Sequence, residues 1–353
     1  MKKILILVND VTTILQFRCE LVSALIQEGH EVIVSVPKNE RTTEIENLGA
    51  KVVETQVSRH GKNPFKDLKL LRNYKKLLKE LKPDIVLTFT IKPNVYGGMA
   101  CAKLKVPYVA NITGLGVVGD GGLFQKLTLW LYKKGLKKAK CVFFQNQANE
   151  QLFKTKKIVS GNTELLPGSG VNIEKFSFCD YPKEENTNIV FVGRIIKDKG
   201  VFELSEATKK FANLKFTIVG DVEYGSENPF SNIKNVECVG FHKDVKPFVK
   251  EAHAIILPSY HEGMANVLLE AASTGRPVLA SNIPGCQETF DEGITGFGFE
   301  PKNVDSLCYA IEKFVALSLE QKETMGKKSR EKVEKQFNRQ IVVNKYLEQV
   351  NSL

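Results

Sequence analysis

Short apolar runs alternate with longer segments of helical spacing along the first half of the chain. Lys3–Val8 is one such run and ends at Asn9-Asp10, and Phe17–Gln27 has a helical pattern stopped by Gly29. Glu31–Val36 and Lys51–Glu54 read as strands, Lys66–Lys82 as a helix and Ile85–Phe89 as a strand. Val95–Lys103 then reads as a helix and Tyr108–Ile112 as a strand. Cys141–Gln145 and Thr163–Leu166 follow as strands around a helix near Asn149–Lys156. Strand and helix in regular alternation predict a parallel sheet covered on both faces. Right-handed crossovers make that a Rossmann-like layer.

The alternation breaks between Pro167 and Asn188, where Gly168, Gly170, Pro182 and a charged run stand. It restarts with strand Asn188–Val192, helix Val201–Phe211, and strands Lys215–Val219 and Asn235–Val239. Helix Asp244–Glu251 and the apolar run Ala254–Leu257 come next. Pro258 ends that run, a loop covers Ser259–Gly263, and a helix runs from about Ala265 to Thr274. Arg276–Ala280 and Phe297–Phe299 read as strands, and Val304–Leu317, Glu320–Gln336 and Arg339–Gln349 as helices. The expectation is an α/β protein of two Rossmann-like domains facing across a cleft. Residues 1–168 form the first domain, 169–187 a linker and 188–335 the second. Residues 336–353 are expected to form a terminal helix packing back on the first domain.

A length of 353 residues suits two such cores. The seven cysteines (19, 101, 141, 179, 238, 286 and 308) are odd in number and form no CxxC pair or Cys/His cluster, which argues for reduced thiols and against a zinc site. The opening MKKILILV has too short an apolar run for a signal peptide and reads as a first buried strand. No run of about 18 apolar residues is present to span a membrane.

Charge changes the picture once it is divided. Residues 1–165 hold 27 Lys and Arg against 14 Asp and Glu, a net of +13, whereas the remainder carries −3 of the total of +10. A basic half beside a mildly acidic half suggests that the first meets an anionic surface. Lys66–Lys82 intersperses Leu68, Leu71, Leu77, Leu78 and Leu81 with lysines and Arg72. Phe124–Lys140 carries the only tryptophan, Trp130, beside Leu127, Leu131 and Tyr132, and ends in five lysines. Each reads either as a helix packed by one face on its own sheet or as a basic amphipathic helix on anionic lipid. Trp130 and the terminal lysines favour lipid for the second. Nucleic acid is disfavoured, since no recognised module or aromatic–basic interleaving accompanies the charge.

Candidate chemistry lies in the second half. Glu262 falls on the loop at the carboxyl end of strand Ala254–Leu257, and Glu270 about one turn into the following helix. In an open α/β sheet that crevice is where ligands bind, and a helix N-terminus there suits a phosphate. Two carboxylates beside a phosphate site fit a ligand that also carries hydroxyls, such as a nucleotide sugar. VGRIIKDKG (Val192–Gly200) likewise ends a strand and opens a helix. Gly193 lets the backbone approach a ligand, while Arg194 as a fork and Lys199 as a point charge could reach a diphosphate.

Together, Glu262-x7-Glu270, the strand before it, the GRxxxxKG motif and LPGSGVNIEKF (Leu166–Phe176) resemble a retaining glycosyltransferase of the large GT-B family 4, over nearly the whole chain. TFTIKPNVYGG (Thr88–Gly98) and NITGLG (Asn111–Gly116) resemble the subgroup that transfers N-acetylhexosamines or uronic acids onto polyprenyl-diphosphate-linked sugars, in capsule or glycan assembly. The resemblance implies that Arg194 and Lys199 bind the diphosphate of a UDP-sugar donor, with Gly193 beside them. It places Glu270 on the ribose hydroxyls, Glu262 near the anomeric centre, and Val239, Gly240 and Phe241 at the base. Gly263, Met264, Ala265, Asn266 and Val267 line the donor, with the amides of Ala265–Val267 on the diphosphate. Catalysis is then expected of Glu262, Arg194 and Lys199. The developing charge on a nucleoside diphosphate needs positive neighbours, and with no DxD-type cluster in a suitable context, Arg, Lys and a helix dipole are expected in place of a metal. No cofactor is expected.

Two departures stand out. Where many relatives have a Gly-Gly loop, this chain reads Asn9-Asp10-Val11-Thr12-Thr13, and where many have His-Gly it reads Thr113-Gly114. Candidate acceptor residues are Arg18, Arg59, Lys92, Asn94, Thr113 and Gly114, facing a lipid-diphosphate-linked sugar. The chain is expected to work in the cytoplasm, peripherally on the inner face of the cell membrane. A glycosidase reading of the two glutamates fits poorly with cations at a diphosphate site. No GxGxxG follows either first strand to support dinucleotide binding. A GT-B epimerase acting on a UDP-sugar and a non-catalytic lipid-binding protein remain as alternatives.

Overall fold

The computed structural model describes residues 1–57, 64–114, 123–183, 186–223, 225 and 227–352. It divides into two compact units, Met1–Ser169 with Gln340–Leu353, and Gly170–Arg339.

The first unit is built on seven strands: β1 (Lys3–Leu7), β2 (Glu31–Val36), β3 (Lys51–Glu54), β4 (Ile85–Phe89), β5 (Tyr108–Ile112), β6 (Cys141–Phe144) and β7 (Asn162–Leu165). All pair in parallel, in the order β3-β2-β1-β4-β5-β6-β7. The central strands are buried and mostly apolar because helices cover both of their faces. Side chains of β1, β4 and β5 alternate between a core under the first two helices and the C-terminal helix, and a second core under helix Pro64–Leu81.

The segment expected as one helix over Phe17–Gln27 is two helices, Val11–Phe17 and Cys19–Gln27, broken at Arg18. The glycine-free loop after β1 explains the early start, because the Asp10 carboxylate accepts from the Thr13 amide at 3.1 Å and caps the first helix. Helix Pro64–Leu81 buries Leu70, Tyr74, Leu77 and Leu78 against the sheet. Between β4 and β5 the chain makes a π turn, Pro93–Gly97, before helix Gly98–Leu104, where a single helix over Val95–Lys103 was expected. Asn94 fixes the turn. It is fully buried, accepts from the Thr88 hydroxyl at 2.7 Å, and donates to the Asn111 carbonyl at 2.7 Å. Helix Leu123–Leu136 packs on this turn through glycine. A Cβ at Gly135 would lie 2.6 Å from the Val95 Cα, and one at Gly98 2.1 Å from the Gly135 carbonyl oxygen. The Tyr108 hydroxyl donates to that same oxygen at 2.6 Å. The C-terminal helix, Arg339–Asn351, completes the first core with Val342, Val343, Tyr346 and Val350.

The second unit holds β8 (Asn188–Val192), β9 (Lys215–Val219), β10 (Val236–Gly240), β11 (Ala254–Leu257), β12 (Val278–Ser281) and β13 (Gly296–Phe299). They form a parallel sheet in the order β10-β9-β8-β11-β12-β13. Its main core is drawn from β8, β9, β11, β12, β13 and the covering helices, with Val236 and Val239 of β10 packed against it, and a second cluster joins Val171 and Phe176 to Leu269, Val333 and Phe337. The stretch after Ser169 packs with this unit, and three guanidinium groups hold it by its carbonyls. Arg276, fully buried, donates to Cys179 O at 2.9 Å, Asp180 O at 2.8 Å and Lys250 O at 2.7 Å. Arg330 donates to Ile173 O and Phe176 O, and Arg339 to Gly170 O. Composition alone reads this stretch as a linker, because carbonyl-holding arginines lie far away in sequence. Among the described residues, no helix is long and apolar enough to cross a membrane.

Candidate active site

The strand order of the second unit reverses between β8 and β11, and the loops leaving their carboxyl ends form the topological switch point. Gly193, Arg194 and Lys199 lie on the loop after β8, and Glu262 through Ala265 on the loop after β11. Asn266 and Val267 open helix Asn266–Ser273 and Glu270 lies a turn into it, while Val239 and Gly240 end β10 and Phe241 follows it.

Glycines let these loops approach one another. Gly200 has φ +66°, and a Cβ there would lie 2.0 Å from the Pro258 carbonyl oxygen. Gly220 has φ +147°, and its Cβ would lie 1.9 Å from the Gly193 carbonyl oxygen. A Cβ at Gly285 would lie 2.8 Å from the carbonyl oxygens of Glu262 and Gly263. Polar bonds complete the assembly. The Tyr260 amide donates to Asp198 O at 2.9 Å, and its hydroxyl to the Glu203 carboxylate at 2.6 Å. Lys199 donates to the Glu262 carboxylate, whose same oxygen accepts from the Ser259 hydroxyl at 2.8 Å. Lys199 and Glu262 are mostly buried, so this ion pair is partly shielded from solvent.

The helix after β11 opens without a side-chain cap; the Ala265 amide, expected on the diphosphate, donates instead to Gly285 O at 2.8 Å, whereas the amides of Asn266 and Val267 donate to no group among the described residues. Two aimed N–H groups and the positive end of a helix make an anion site. Glu270 stands half-buried one turn further on; its carbonyl accepts from the Thr274 hydroxyl at 2.9 Å, while its carboxylate has no hydrogen-bond partner among the described residues. Desolvation pushes its carboxyl up to about 7, against the opposing pull of Arg339 and Lys175. Such a group lacks donors, and sugar hydroxyls would supply them. Arg194 is 62% exposed in its side chain and pairs with Glu223 at 2.8 Å. Phe241 stands exposed beside Gly240, its amide held by Asp221 at 3.0 Å. Among the described residues no group of three or more His, Cys, Asp or Glu is placed to hold a metal.

Sequence reasoning missed Ser259, the Tyr260–Glu203 bond and the packing glycines 220 and 285. Their roles depend on which loops meet, and no local spacing records that.

Candidates in the first unit are differently placed. Arg18 is 2% exposed, lies over the Phe89 ring at 4.9 Å and donates to Phe17 O. Lys92 pairs with Asp67 at 2.7 Å, and the Tyr96 hydroxyl donates to the other oxygen of that carboxylate. Asn94 is the buried strut described above. Thr113 and Gly114 are half-buried just past β5. Arg59 lies outside the described residues, as do Leu115 and Gly116 of NITGLG.

Residues 173–332 match the family described as glycosyl transferases group 1, and residues 3–146 the family described as glycosyl transferase 4-like. The chain is 30% identical over 324 residues to the N,N'-diacetylbacillosaminyl-diphospho-undecaprenol alpha-1,3-N-acetylgalactosaminyltransferase of Campylobacter jejuni, covering 85% of each chain. It is 29% identical over 275 residues to the UDP-Gal:alpha-D-GlcNAc-diphosphoundecaprenol alpha-1,3-galactosyltransferase of Escherichia coli, covering 70% of each. The fold matches Anabaena HepE, solved with UDP and glucose, with a TM-score of 0.82 over the full length of both chains at 18% identity. With a GT-B fold of two Rossmann-like domains and a relative at this identity over most of its length, the chain belongs to the group 1, family 4-like glycosyltransferases.

Proposed function

We propose that this transferase moves a hexose derivative, an N-acetylhexosamine or uronic acid, from a UDP-sugar to a polyprenyl-diphosphate-linked sugar. The product is a surface polysaccharide or glycan intermediate that keeps the donor's α configuration. The observation that carries the donor side is the uncapped start of helix Asn266–Ser273, flanked by the Lys199–Glu262 pair and the donor-starved carboxyl of Glu270. The acceptor class is supported by the names of the Campylobacter and Escherichia relatives, both of which act on diphosphoundecaprenol-linked sugars.

In this reading the diphosphate sits on the Asn266 and Val267 amides, with Lys199 and Arg194 against its outer oxygens. Glu270 accepts from the ribose hydroxyls, and the backbone of Val239–Phe241 holds the base. The sugar C1–O bond breaks as negative charge passes to the diphosphate, where these fixed donors are worth most. The acceptor hydroxyl attacks C1 from the face the leaving group vacates, and its proton passes to the departing diphosphate oxygen. Glu262, already anchoring Lys199, stabilises the positive charge that develops on the sugar. Lysine, arginine and helix dipole take the place of a metal ion. The enzyme works peripherally at the inner face of the cell membrane, where its acceptor resides.

The test offers UDP-sugars with synthetic acceptors that carry or lack the lipid diphosphate, followed by NMR of the new linkage. Transfer only to the diphosphate-bearing acceptor, with an α linkage, is expected. Equal rates on the free sugar would remove the acceptor assignment, and a β product the retaining mechanism.

A further inference from the structure

We propose that one end of the first unit's sheet carries a bilayer-docking surface, with Leu127 and Trp130 as its apolar anchors and lysines around them. It deepens the acceptor reading above, since it names the surface that would bring the chain to a lipid-held acceptor. Packing decides which way helix Leu123–Leu136 faces. Its Thr128, Tyr132, Gly135 and Leu136 are turned inward, and the contacts of Gly98 and Gly135 leave no room for it to roll. Leu127 and Trp130, three residues apart, are therefore held outward at 52% and 53% exposure. Lys126, Lys133, Lys134, Lys137 and Lys138 are exposed along the same helix and the turn after it, with Lys134 over the Trp130 ring at 5.5 Å.

A second helix extends the patch. Tyr108, Ala110 and Ile112 alternate onto one face of the sheet, where Tyr108 joins the core under helix Pro64–Leu81 and the other two the core under helix Leu123–Leu136. Both helices pack on the segment Pro93–Leu104 between them. Each starts its return crossover at the carboxyl end of the strands. Phe65, 84% exposed, and Leu68 lie in the first two turns of one; in the other Leu127 lies in the second turn and Trp130 at the start of the third. Ile91, exposed just past β4, falls at the same end of the sheet. Lys66 and Lys69 flank Phe65 and Leu68.

Five apolar side chains toward one end of one face, with Lys66, Lys69 and Lys126 among them and Lys133 and Lys134 further along the second helix, match the two requirements of an anionic bilayer surface. Indole and aliphatic groups enter the headgroup boundary while cations meet lipid phosphates. The lysines argue against a second copy of this chain as occupant, because a self-paired patch would bring like charges together.

Trp130 is the only tryptophan, so its fluorescence reports this surface and no other. The full chain is titrated, without sugar substrates, with vesicles of neutral phospholipid alone or mixed with anionic phospholipid. A blue shift is expected with the anionic vesicles only, and it should diminish toward 1 M salt as screening shortens to about 3 Å. In parallel, Leu127→Ser/Trp130→Ser, with folding checked by circular dichroism, should bind anionic vesicles about tenfold less well or worse. It should keep normal turnover on a short-chain acceptor in solution. Sedimentation of wild type with anionic vesicles and no shift of Trp130, or undiminished binding by the variant, overturns the proposal. So does a concentration-dependent shift without vesicles, which would indicate self-association. Because no substrate is present, a failed shift leaves the acceptor reading standing. A Trp130 shift in an enzyme equally active on free sugars would leave the surface standing alone.

Discussion

Replacing Glu270 by glutamine should stabilise the donor-free protein at neutral pH and weaken its hold on UDP. Burial moves this carboxyl from an ordinary 4.5 to about 7, so between those two values the folded chain holds a proton that the unfolded chain has released. Stability is therefore highest below pH 4.5 with respect to this group, falls as pH rises, and has lost the full contribution once pH passes 7. The displacement amounts to roughly 3 kcal/mol. Glutamine cannot ionise and avoids that loss. In a unit of this size roughly 2–4 °C of melting temperature accompany each kcal/mol. Glu270→Gln should accordingly melt roughly 5–10 °C above wild type at pH 8 and show little gain at pH 4.5. UDP binding should move the other way, because hydrogen bonds from ribose to a charged acceptor contribute about 1.5–3 kcal/mol, a loss of roughly ten- to a hundredfold in affinity. Differential scanning calorimetry across pH and UDP titration calorimetry read the two effects. Parallel stability profiles for the two proteins would refute the buried titration, and unchanged UDP affinity would refute the ribose contact.

Arg194→Ala and Lys199→Ala should each fold normally and lose about 10²–10³ in turnover, whereas EDTA should leave the wild type unaffected; near-normal rates in both variants would end their assigned role. Because Lys199 and Glu262 share an ion pair, Glu262→Ala combined with Lys199→Ala should cost clearly less than the product of the single losses. Additive effects on kcat would show that the pair does not act as a unit. Arg276→Lys should lower stability by several kcal/mol, on the order of 3–5, because an ammonium cannot reproduce a buried fork that bonds three carbonyls on two segments. A melting temperature within a degree of wild type would contradict that.

The alternation of apolar runs and helical spacing was enough to place both sheets, because a strand buried on two faces must be nearly all apolar, as Ile85–Phe89 and Ala254–Leu257 are. The places of Glu262, Glu270, Arg194 and Lys199 in the fold were legible for a related reason, since each lies on the loop leaving the carboxyl end of a strand or on the helix that loop opens. What escaped depends on distant partners. Asn94 looks like a ligand-facing residue in TIKPN until its bonds to Thr88 and Asn111 are seen. Arg18 reads as a cation for the acceptor, yet it is 2% exposed and folded over Phe89. The leucines of Lys66–Lys82 do not disclose that Leu77 and Leu78 turn inward while Leu68 stays out, because helical spacing gives faces and leaves open what each face meets.

The C-terminal helix makes the first unit discontinuous in sequence. Tyr346 lies between Phe89 and Phe143, at 5.6 and 4.9 Å between ring centroids, and its hydroxyl accepts from Asn111 at 2.5 Å. Lys2 and Lys140 bind the last carbonyls of the same helix. A gene fragment ending near residue 169 would thus encode a half with an open seam under β4, β5 and β6, prone to aggregate when expressed alone. Supplying residues 340–353 as a separate peptide, or splicing them ahead of Met1 through a short glycine-rich tether, should restore it. Any attempt to graft this half onto another sugar-donor domain must carry the last fourteen residues along with it.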